Sequence, residues 1–325
     1  MNSTMQKTSN ILVGVYVPTD FNETMFSECA YSLAMQHKNV DVIFVHGPLS
    51  DERKNRLTQL AKNPTVTTVS RVKDEEGKDQ NKQETHVSEK ELSFEVHELQ
   101  MSNFADFFNF SFNLAKKNGY EAFSFVDAED VVSLKYFGIA ETYMTENEKV
   151  GVFIPLVKPM VAGSFQGFMN ESVWGEGVAE EAGRFDHKLL LKSNCISIFG
   201  AFFVLSHLTS EASEDFIQKE SDNWMPMKKT MNVASVYEFF LRLTYNDVKI
   251  INIPRIGYEM RVLRKENFDR CGVKLPANFR EIPIEKGGFS QEEIMFWMKS
   301  ATDNYFFEKD DTSMKFEEKQ TQNQP

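Results

Sequence analysis

The stretch Phe123-Ser-Phe-Val-Asp127-Ala-Glu129-Asp130 decides how the rest of the chain is interpreted. An apolar run of strand length ends at Val126, and three carboxylates follow within four residues. A buried strand of this kind delivers acidic side chains to the carboxyl edge of an open sheet, where α/β proteins bind ligands. Clustered carboxylate oxygens are the ligands that Mg²⁺ and Mn²⁺ prefer. An acidic turn after a core strand explains these residues equally well, so the flanking sequence has to separate the two interpretations.

The composition is that of an ordinary globular protein, with 325 residues, 41% hydrophobic and 26% charged. A net charge of −12 weighs against nucleic acid as the main partner, although a local basic groove stays open. The polar N-terminus and the lack of a long apolar run predict no signal peptide and no membrane span. We therefore expect a cytoplasmic protein, in the host cytoplasm if the chain is viral. Three widely spaced cysteines without a zinc pattern predict reduced, structural thiols: Cys29, Cys195 and Cys271.

Strands and helices alternate before the opening stretch, which predicts a parallel sheet with right-handed crossovers. A capping box of Asp20 and Glu23 is expected to start the first helix, and Ser50 the second. Residues 1–9 are expected to be a flexible leader, and the polar residues 73–91 a mobile surface insertion. The predicted elements are strands over 11–17, 40–45 and 65–72, a helix that follows the Asp20 cap and extends to about residue 36, and a helix over 51–61.

A further strand over 92–99 and a phenylalanine-rich helix lead into the carboxylates. Asn103 with Asp106 predicts the start of that helix and Asn118-Gly119 its end, and we assign its aromatic residues to the core. After the carboxylates, Ser133 is expected to cap a helix, and residues 157–190 to form loops. Further elements are expected over 150–156, 195–205, 233–243, 249–254, 258–263 and 289–307, the last capped by Ser290, before a disordered tail over 310–325.

Four motifs in this order resemble the family 2 glycosyltransferases of the GT-A fold. The likeness covers roughly residues 10–265, and its most specific part is the carboxylate motif, which is similar to the family's DxD metal motif. The four motifs are Pro18-Thr-Asp-Phe-Asn22, Val42-Ile-Phe-Val-His46-Gly-Pro-Leu-Ser50-Asp51-Glu52, Phe125-Val-Asp127-Ala-Glu129-Asp130, and Phe240-Leu-Arg242-Leu continued by Val248-Lys-Ile-Ile-Asn-Ile-Pro254 and Tyr258-Glu-Met-Arg261.

This resemblance implies a Rossmann-like α/β domain over 10–265, with a mixed, mostly parallel sheet flanked by helices. After this domain we expect a small helical extension over 266–309. It implies a metal-dependent, inverting hexosyl- or pentosyltransferase that moves a sugar from a nucleotide-diphosphate sugar to an acceptor hydroxyl. Mn²⁺ or Mg²⁺ is the implied cofactor. The implied metal ligands are Asp127, Glu129 and Asp130, and the implied donor-binding residues are Pro18, Thr19, Asp20, His46, Asp127 and Arg261.

The sequence departs from the family at three places. His46-Gly47 stands where relatives carry paired aspartates, and Glu129 is one methylene longer than the usual aspartate. The carboxylate pair that supplies the catalytic base in relatives is replaced by Ser235-Val236. Glu238 is then the nearest candidate base, with Asp222 and Asp215 as rivals and Arg264 as a further diphosphate contact.

Two other functions stay open at this point. One is a catalytically inactive GT-A binding or scaffold protein, since the base is not where relatives keep it. The other is a transferase that glycosylates modified DNA bases, as some phage enzymes do. The acceptor can therefore be a glycan, a protein or a modified base. We expect residues 157–190 and the C-terminal segment to determine which acceptor is used. No glycine-rich phosphate loop, nucleophile elbow or HExxH zinc site occurs.

Overall fold

The computed structural model describes residues 7–73, 79–161, 198–210, 213–214, 216–229 and 235–262. These residues form a central sheet flanked by helices, together with two small hairpins. The strands are β1 (Ile11–Val17), β2 (Asp41–His46), β3 (Thr65–Lys73), β4 (Asp79–Val87), β5 (Ser93–Glu98), β6 (Ala122–Asp127), β7 (Val131–Val132), β8 (Val150–Val161), β9 (Phe202–Val204), β10 (Gln218–Glu220), β11 (Asn223–Met225) and β12 (Lys249–Val262). The helices are α1 (Glu23–Ala34), α2 (Asp51–Lys62), α3 (Phe104–Lys117), α4 (Tyr136–Glu146), α5 (Leu205–Leu208) and α6 (Ser235–Tyr245).

The central sheet has the strand order β5-β2-β1-β6-β9-β8-β12-β7. Strand β1 lies parallel between β2 and β6, while β9 runs antiparallel to β6 and β8, and β7 antiparallel to β12. This arrangement confirms the predicted mixed, mostly parallel sheet. After β5 the chain crosses back to β6, so the strand order reverses between β1 and β6. The carboxyl ends of two such strands form the crevice in which open α/β sheets bind ligands.

The core is built on β1 and β6, in which every residue is buried. Helix α3 covers one face, with ring centroids 4.9 Å apart for Phe104 and Phe125 and 5.4 Å apart for Phe108 and Phe123. Gly14 of β1 permits this close packing, because an added Cβ would lie 3.0 Å from the Phe123 ring. The aromatic residues of α3 are therefore core residues, as predicted.

Several helix ends lie where the sequence predicts them. The Ser50 hydroxyl accepts the Arg53 N–H at 3.3 Å at the start of α2. Asn103 and Asp106 form the predicted capping box of α3. This helix ends before Gly119, whose φ of +70° is a left-handed conformation that favours glycine.

The predicted start of α1 is wrong by two residues. The N-cap is Asn22, whose side chain accepts the Met25 N–H at 3.1 Å, and not Asp20. A turn in which the Phe21 N–H donates to the Pro18 carbonyl at 3.2 Å precedes the helix and delays its first turn. The residue before α1 is thereby placed next to the end of β6.

The strand predicted over 65–72 is formed but does not join the central sheet. As β3 it pairs antiparallel with β4, which lies within the polar stretch 73–91 that we predicted as a mobile insertion. Strand β5 takes the place beside β2, and its Phe94 packs against Phe44 of β2 with ring centroids 5.6 Å apart. Thr67 and Thr68 of β3 are exposed, in keeping with a strand that lies outside the central sheet.

The β3–β4 hairpin is connected to the rest of the domain where β3 begins and β4 ends. The Ser88 N–H after β4 donates to the Pro64 carbonyl before β3 at 3.0 Å. The Thr65 N–H donates to the Ser27 hydroxyl of α1 at 2.8 Å. The hairpin is therefore attached at its base, while its polar residues extend into solvent.

Two asparagines of α3 hold the segment that contains β11. Asn113 accepts the Trp224 N–H at 2.7 Å and donates to the Trp224 carbonyl at 2.6 Å. Asn109, one turn earlier, makes the same pair of bonds with Met227 at 2.9 and 2.8 Å. Side-chain amides thus satisfy backbone groups that would otherwise need a neighbouring strand.

Other predictions are corrected or lie outside the described residues. The helix expected to be capped by Ser133 begins at Tyr136, with Lys135 as an N-cap that makes no side-chain hydrogen bond. The two strands predicted over 249–254 and 258–263 are one continuous strand, β12. The predictions for 1–6, 74–78, 162–197, Asp215, Arg264 and everything after 262, including the helix at Ser290, lie outside the described residues.

Candidate functional site

The ends of three parallel strands meet at the carboxyl edge of the sheet. In the strand register Tyr16 of β1 lies opposite Asp127 of β6, and Val17 of β1 lies opposite His46 of β2. The loop that follows β1 carries Thr19 and Asp20, both exposed, after a buried Pro18. The structure therefore brings the predicted residues after β1, β2 and β6 together at the crevice where the strand order reverses.

Residues Asp127 to Asp130, which we call the carboxylate turn, form a tight turn after β6. The Asp130 N–H donates to the Asp127 carbonyl at 3.0 Å, and the Glu129 N–H donates to Oδ1 of Asp127 at 3.0 Å. The three acidic side chains are nearly buried, with exposed fractions of 2% for Asp127, 7% for Glu129 and 0% for Asp130. Buried carboxylates need partners, and each of these has them.

Glu129 reaches across to the start of α1. Its Oε1 accepts the N–H of Asn22, the N-cap of that helix, at 2.7 Å. A carboxylate at a helix N-terminus is favoured by the helix dipole. The additional methylene of Glu129 compared with aspartate gives the side chain its reach, so the carboxylate turn and the β1–α1 loop are directly linked.

Asp130 is tied to β12 through both of its carboxylate oxygens. Oδ2 accepts the Tyr258 hydroxyl at 2.7 Å, and Oδ1 accepts the Arg261 N–H at 2.7 Å. The Tyr258 hydroxyl also accepts the Asp127 N–H at 3.0 Å. Burial first, and then the neighbouring Asp130 and Asp127, raise the pKa of Tyr258 well above its usual value. The phenol therefore stays protonated and acts as the donor to Asp130.

Arg261 is predicted to bind the donor diphosphate, and the structure places it beside the carboxylate turn. Its guanidinium donates to the Glu129 carbonyl at 2.5 Å and pairs with Glu28 of α1. The Arg261 side chain is 13% exposed. Its contacts therefore join β12, the turn and α1, and the diphosphate contact stays a prediction.

Cys29 lies beneath the turn, a position that the sequence did not reveal. Its thiol donates to the Asp127 carbonyl at 3.6 Å. Burial first, and then Asp130 and Asp127, raise the pKa of Cys29 well above its usual value. The group is a neutral, packed thiol, in agreement with the structural role predicted for this cysteine.

His46 is 2% exposed, and its Nδ1 lies 2.5 Å from the carbonyl oxygen of Gly47. The ring is therefore engaged with its own loop. An added Cβ at Gly47 would lie 3.4 Å from the Thr19 methyl, which shows how closely the loops after β1 and β2 approach. The predicted nucleotide contact of His46 stays a prediction.

The two predicted catalytic bases are not in the carboxylate cluster. Glu238 is 0% exposed, and its two oxygens accept the Arg242 guanidinium at 2.9 and 3.1 Å. Arg242 also donates to the carbonyls of Phe216 and Pro226, so these contacts give Glu238 a structural role. Asp222 is exposed in the turn between β10 and β11. The base role of both residues stays a prediction.

The donor set of the carboxylate turn fits a hard divalent ion that also binds substrate. Within the described ranges, no group of three or more histidine, cysteine, aspartate or glutamate side chains is arranged to hold a metal ion. Mg²⁺ sites, however, commonly take only one or two carboxylates from the protein and the rest from phosphates and water. Asp127 and Glu129 are two carboxylates of that kind, and each also accepts a backbone N–H. Both oxygens of Asp130 accept hydrogen bonds from β12.

A separate hollow of about 490 Å³ lies at the opposite, amino-terminal edge of the sheet. It is polar and is lined by Lys7, His37 and Lys38 among others. Lys38 is already paired with Glu141 at 2.8 Å. None of the predicted site residues that the structure describes lines this hollow.

Comparison with known proteins gives a likeness in structure only. No protein-family model and no curated protein sequence matches this chain. The structure of S. aureus TarS 1-349 in complex with UDP matches with a TM-score of 0.51 at 14% identity, covering 80% of this chain and 62% of that chain. The chain has a glycosyltransferase-like fold. The match spans less than two thirds of that relative.

Two further TarS structures are also similar. TarS 1-349 has a TM-score of 0.47 at 15% identity, with 94% of this chain and 76% of that chain covered. TarS has a TM-score of 0.48 at 16% identity, with 95% and 46% covered. The assignment of fold rests on the first match. Among the described residues no helix has the length and hydropathy to cross a membrane.

Proposed function

We propose that the chain is a glycosyltransferase that binds a nucleotide-diphosphate sugar at the carboxyl ends of β1 and β6 and transfers the sugar to an acceptor hydroxyl. The observation that carries this proposal is the position of the carboxylate turn. It lies at the reversal of strand order, beside the exposed Thr19 and Asp20 and the N-terminus of α1. The fold match to a TarS structure that contains UDP supports the same class of donor.

We assign a divalent ion, Mn²⁺ or Mg²⁺, to Asp127 and Glu129. When bound, such an ion neutralises the charge that develops on the leaving diphosphate. The chain contributes two further elements. The N-terminus of α1 favours negative charge at the turn, and β12 holds the turn in place through Asp130. Asp130 is thus assigned as an anchor and not as a ligand.

Sugar transfer also needs a base within hydrogen-bond reach of the acceptor hydroxyl. Glu238 is enclosed in its pair with Arg242, and Asp222 is exposed in a hairpin turn. An inverting transfer with a base supplied from the acceptor side therefore rests on the resemblance to family 2 enzymes. Once the acceptor is known to be a glycan, a protein or a modified base, the residue that acts as the base can be sought beside its hydroxyl.

The test is binding of UDP and of a panel of nucleotide-diphosphate sugars, measured by calorimetry with Mn²⁺ and with EDTA. We expect Mn²⁺ to strengthen UDP binding to the wild type and Asp127→Asn to abolish that gain. The matched control is Asp41→Asn, because Asp41 is another fully buried aspartate, held by Thr8 and Tyr120 at the far edge of the sheet. Binding that is unchanged by Asp127→Asn, or lost equally in both variants, would contradict the proposal.

A second candidate function is a GT-A-fold protein that binds the donor without catalysis. The buried ion pair of Glu238, at the helix that carries the base in relatives, favours it. Hydrolysis or transfer of sugar from the donors that bind separates the two functions. Metal-dependent binding without turnover on any acceptor class, including duplex DNA with modified bases, would favour the binding protein.

A further inference from the structure

Strand β12 fastens the carboxylate turn at three residues. The Tyr258 hydroxyl accepts the Asp127 N–H at 3.0 Å and donates to Asp130 at 2.7 Å. The Arg261 N–H donates to the other oxygen of Asp130 at 2.7 Å, and its guanidinium donates to the Glu129 carbonyl at 2.5 Å. The strand thereby holds the backbone of both residues that we assign to the metal.

The two assigned ligands are also coupled to each other. Oδ1 of Asp127 accepts the Glu129 N–H at 3.0 Å, so a shift of the Asp127 backbone changes the orientation of both carboxylates. Tyr258 makes the bond to that backbone, and it lies 131 positions away in sequence. Tyr258 and Asp130 are both 0% exposed, so their hydrogen bond lies in the protein interior.

We propose that Tyr258 is a positioning residue for the metal, and that its hydroxyl sets the orientation of Asp127 and Glu129 with Asp130 as the connecting group. This inference rests on the proposed function, since it concerns the ion that the turn would hold. Groups that orient metal ligands without touching the metal tune its affinity strongly. A tyrosine hydroxyl suits the position because it accepts one hydrogen bond and donates another at once.

The contribution of the Tyr258 hydroxyl can be tested separately from that of its ring. The Tyr258 ring packs against Phe199 with centroids 5.7 Å apart, and a phenylalanine would keep that contact. Tyr258→Phe therefore removes the bonds to Asp127 and Asp130 and leaves the packing in place. Tyr136→Phe is the matched control, because Tyr136 is 1% exposed and its hydroxyl donates to the Gly200 carbonyl at 2.5 Å, with no bond to the carboxylate turn.

The experiment measures Mn²⁺ binding in the presence of UDP, which supplies phosphate ligands to the ion, for the wild type and both variants. The free ion is followed by electron paramagnetic resonance. We expect Tyr258→Phe to weaken Mn²⁺ binding about tenfold or more, and Tyr136→Phe to change it less than about twofold. Hydrogen exchange of the metal-free proteins is measured in parallel. The Asp127 amide should exchange faster in Tyr258→Phe only, since it loses its acceptor.

Each outcome decides the inference. Equal Mn²⁺ affinity in Tyr258→Phe and the wild type, with Asp127→Asn still abolishing binding, overturns the inference and leaves the proposed function standing. Equal losses in Tyr258→Phe and Tyr136→Phe show a general effect of buried tyrosines and also overturn it. A wild type whose Mn²⁺ binding does not depend on Asp127 overturns the proposed metal site and this inference together.

A second variant covers the case in which Tyr258→Phe does not fold. Arg261→Lys changes another contact between β12 and the carboxylate turn, at a side chain that is 13% exposed. It removes the guanidinium that donates to the Glu129 carbonyl. Its control is Arg56→Lys, which breaks the exposed pair of Arg56 with Glu23. We expect Mn²⁺ binding to be weaker in Arg261→Lys and unchanged in Arg56→Lys. Unchanged affinity in Arg261→Lys would overturn the assignment of β12 as the support of the turn.

Discussion

Replacing Glu238 by leucine removes one half of an ion pair that the protein interior encloses. The side chains of Glu238 and Arg242 are 0% and 2% exposed, and the guanidinium donates to both carboxylate oxygens. Arg242 also donates to the carbonyls of Phe216 and Pro226, which hold it in place. Without Glu238 the guanidinium keeps its charge and loses both hydrogen bonds to this carboxylate in a place where its side chain is 2% exposed.

The magnitude follows from this enclosure. Removing one partner of a buried pair typically costs about 3 to 5 kcal/mol, because the remaining charge is uncompensated. An exposed pair contributes about 0 to 1 kcal/mol. The chain offers such a pair nearby, between Glu214 and Lys219 at 3.1 Å with side chains 48% and 34% exposed. Glu238→Leu should therefore lower the free energy of unfolding several times more than Glu214→Leu.

The assay is urea unfolding followed by tryptophan fluorescence, with Trp224 as a buried reporter in the adjoining segment. The double variant Glu238→Leu with Arg242→Met removes both members of this ion pair. We expect its loss of stability to differ by more than about 1 kcal/mol from the sum of the two single losses. Additive losses, or a Glu238→Leu variant as stable as Glu214→Leu, would refute the assignment of a structural pair.

The same residue distinguishes structure from catalysis. Glu238→Gln keeps the size of the side chain and an acceptor for Arg242. If Glu238 is structural, the variant loses stability and keeps the wild-type affinity for UDP and Mn²⁺. A variant with wild-type stability and donor binding but no sugar transfer would show that Glu238 is the base and would contradict its structural assignment.

Three further changes test other contacts. Asn109→Ala should cost about 2 to 4 kcal/mol of unfolding free energy, because it leaves both backbone groups of Met227 without partners, and thermal unfolding measures it. Gly14→Ala should cost about 1 to 3 kcal/mol in the same assay, since its methyl group would meet the Phe123 ring. For Asp106, burial raises the pKa, but hydrogen bonds from a lysine and two backbone N–H groups outweigh it and lower the pKa overall. Above about pH 4, the free energy of unfolding of the wild type should therefore exceed that of Asp106→Asn by about 0.5 to 1 kcal/mol. Unfolding measured at falling pH should show this difference disappear as the pH passes through the lowered pKa of Asp106 in the folded state.

Local sequence signals predicted much of the fold because they act over a few residues. The capping pair Asn103 and Asp106, the left-handed Gly119 and the apolar run of β6 each determine structure within one turn or one strand. Strand membership is a different matter. Residues 65–72 have strand propensity, but which strand lies beside β2 depends on tertiary packing, such as that of Phe94 of β5 on Phe44.

The candidate site was predictable in part for the same reason. Asp127 and Glu129 stand together in one motif, so their cluster can be read from the sequence. The partner of that cluster, Tyr258, comes from a strand that is distant in sequence and meets it only through sheet topology. Glu238 looks like an accessible helix residue until Arg242 is seen to enclose it.

The β3–β4 hairpin begins and ends at one place, because the residues before β3 and after β4 are hydrogen-bonded to each other. Its entry and exit are joined by the bond between Ser88 and Pro64, so the path of the chain into β5 does not depend on what lies between them. An excursion of this kind tolerates changes in length with little entropic penalty. We therefore expect a reporter tag inserted between Pro64 and Ser88 to leave the carboxyl edge of the sheet undisturbed.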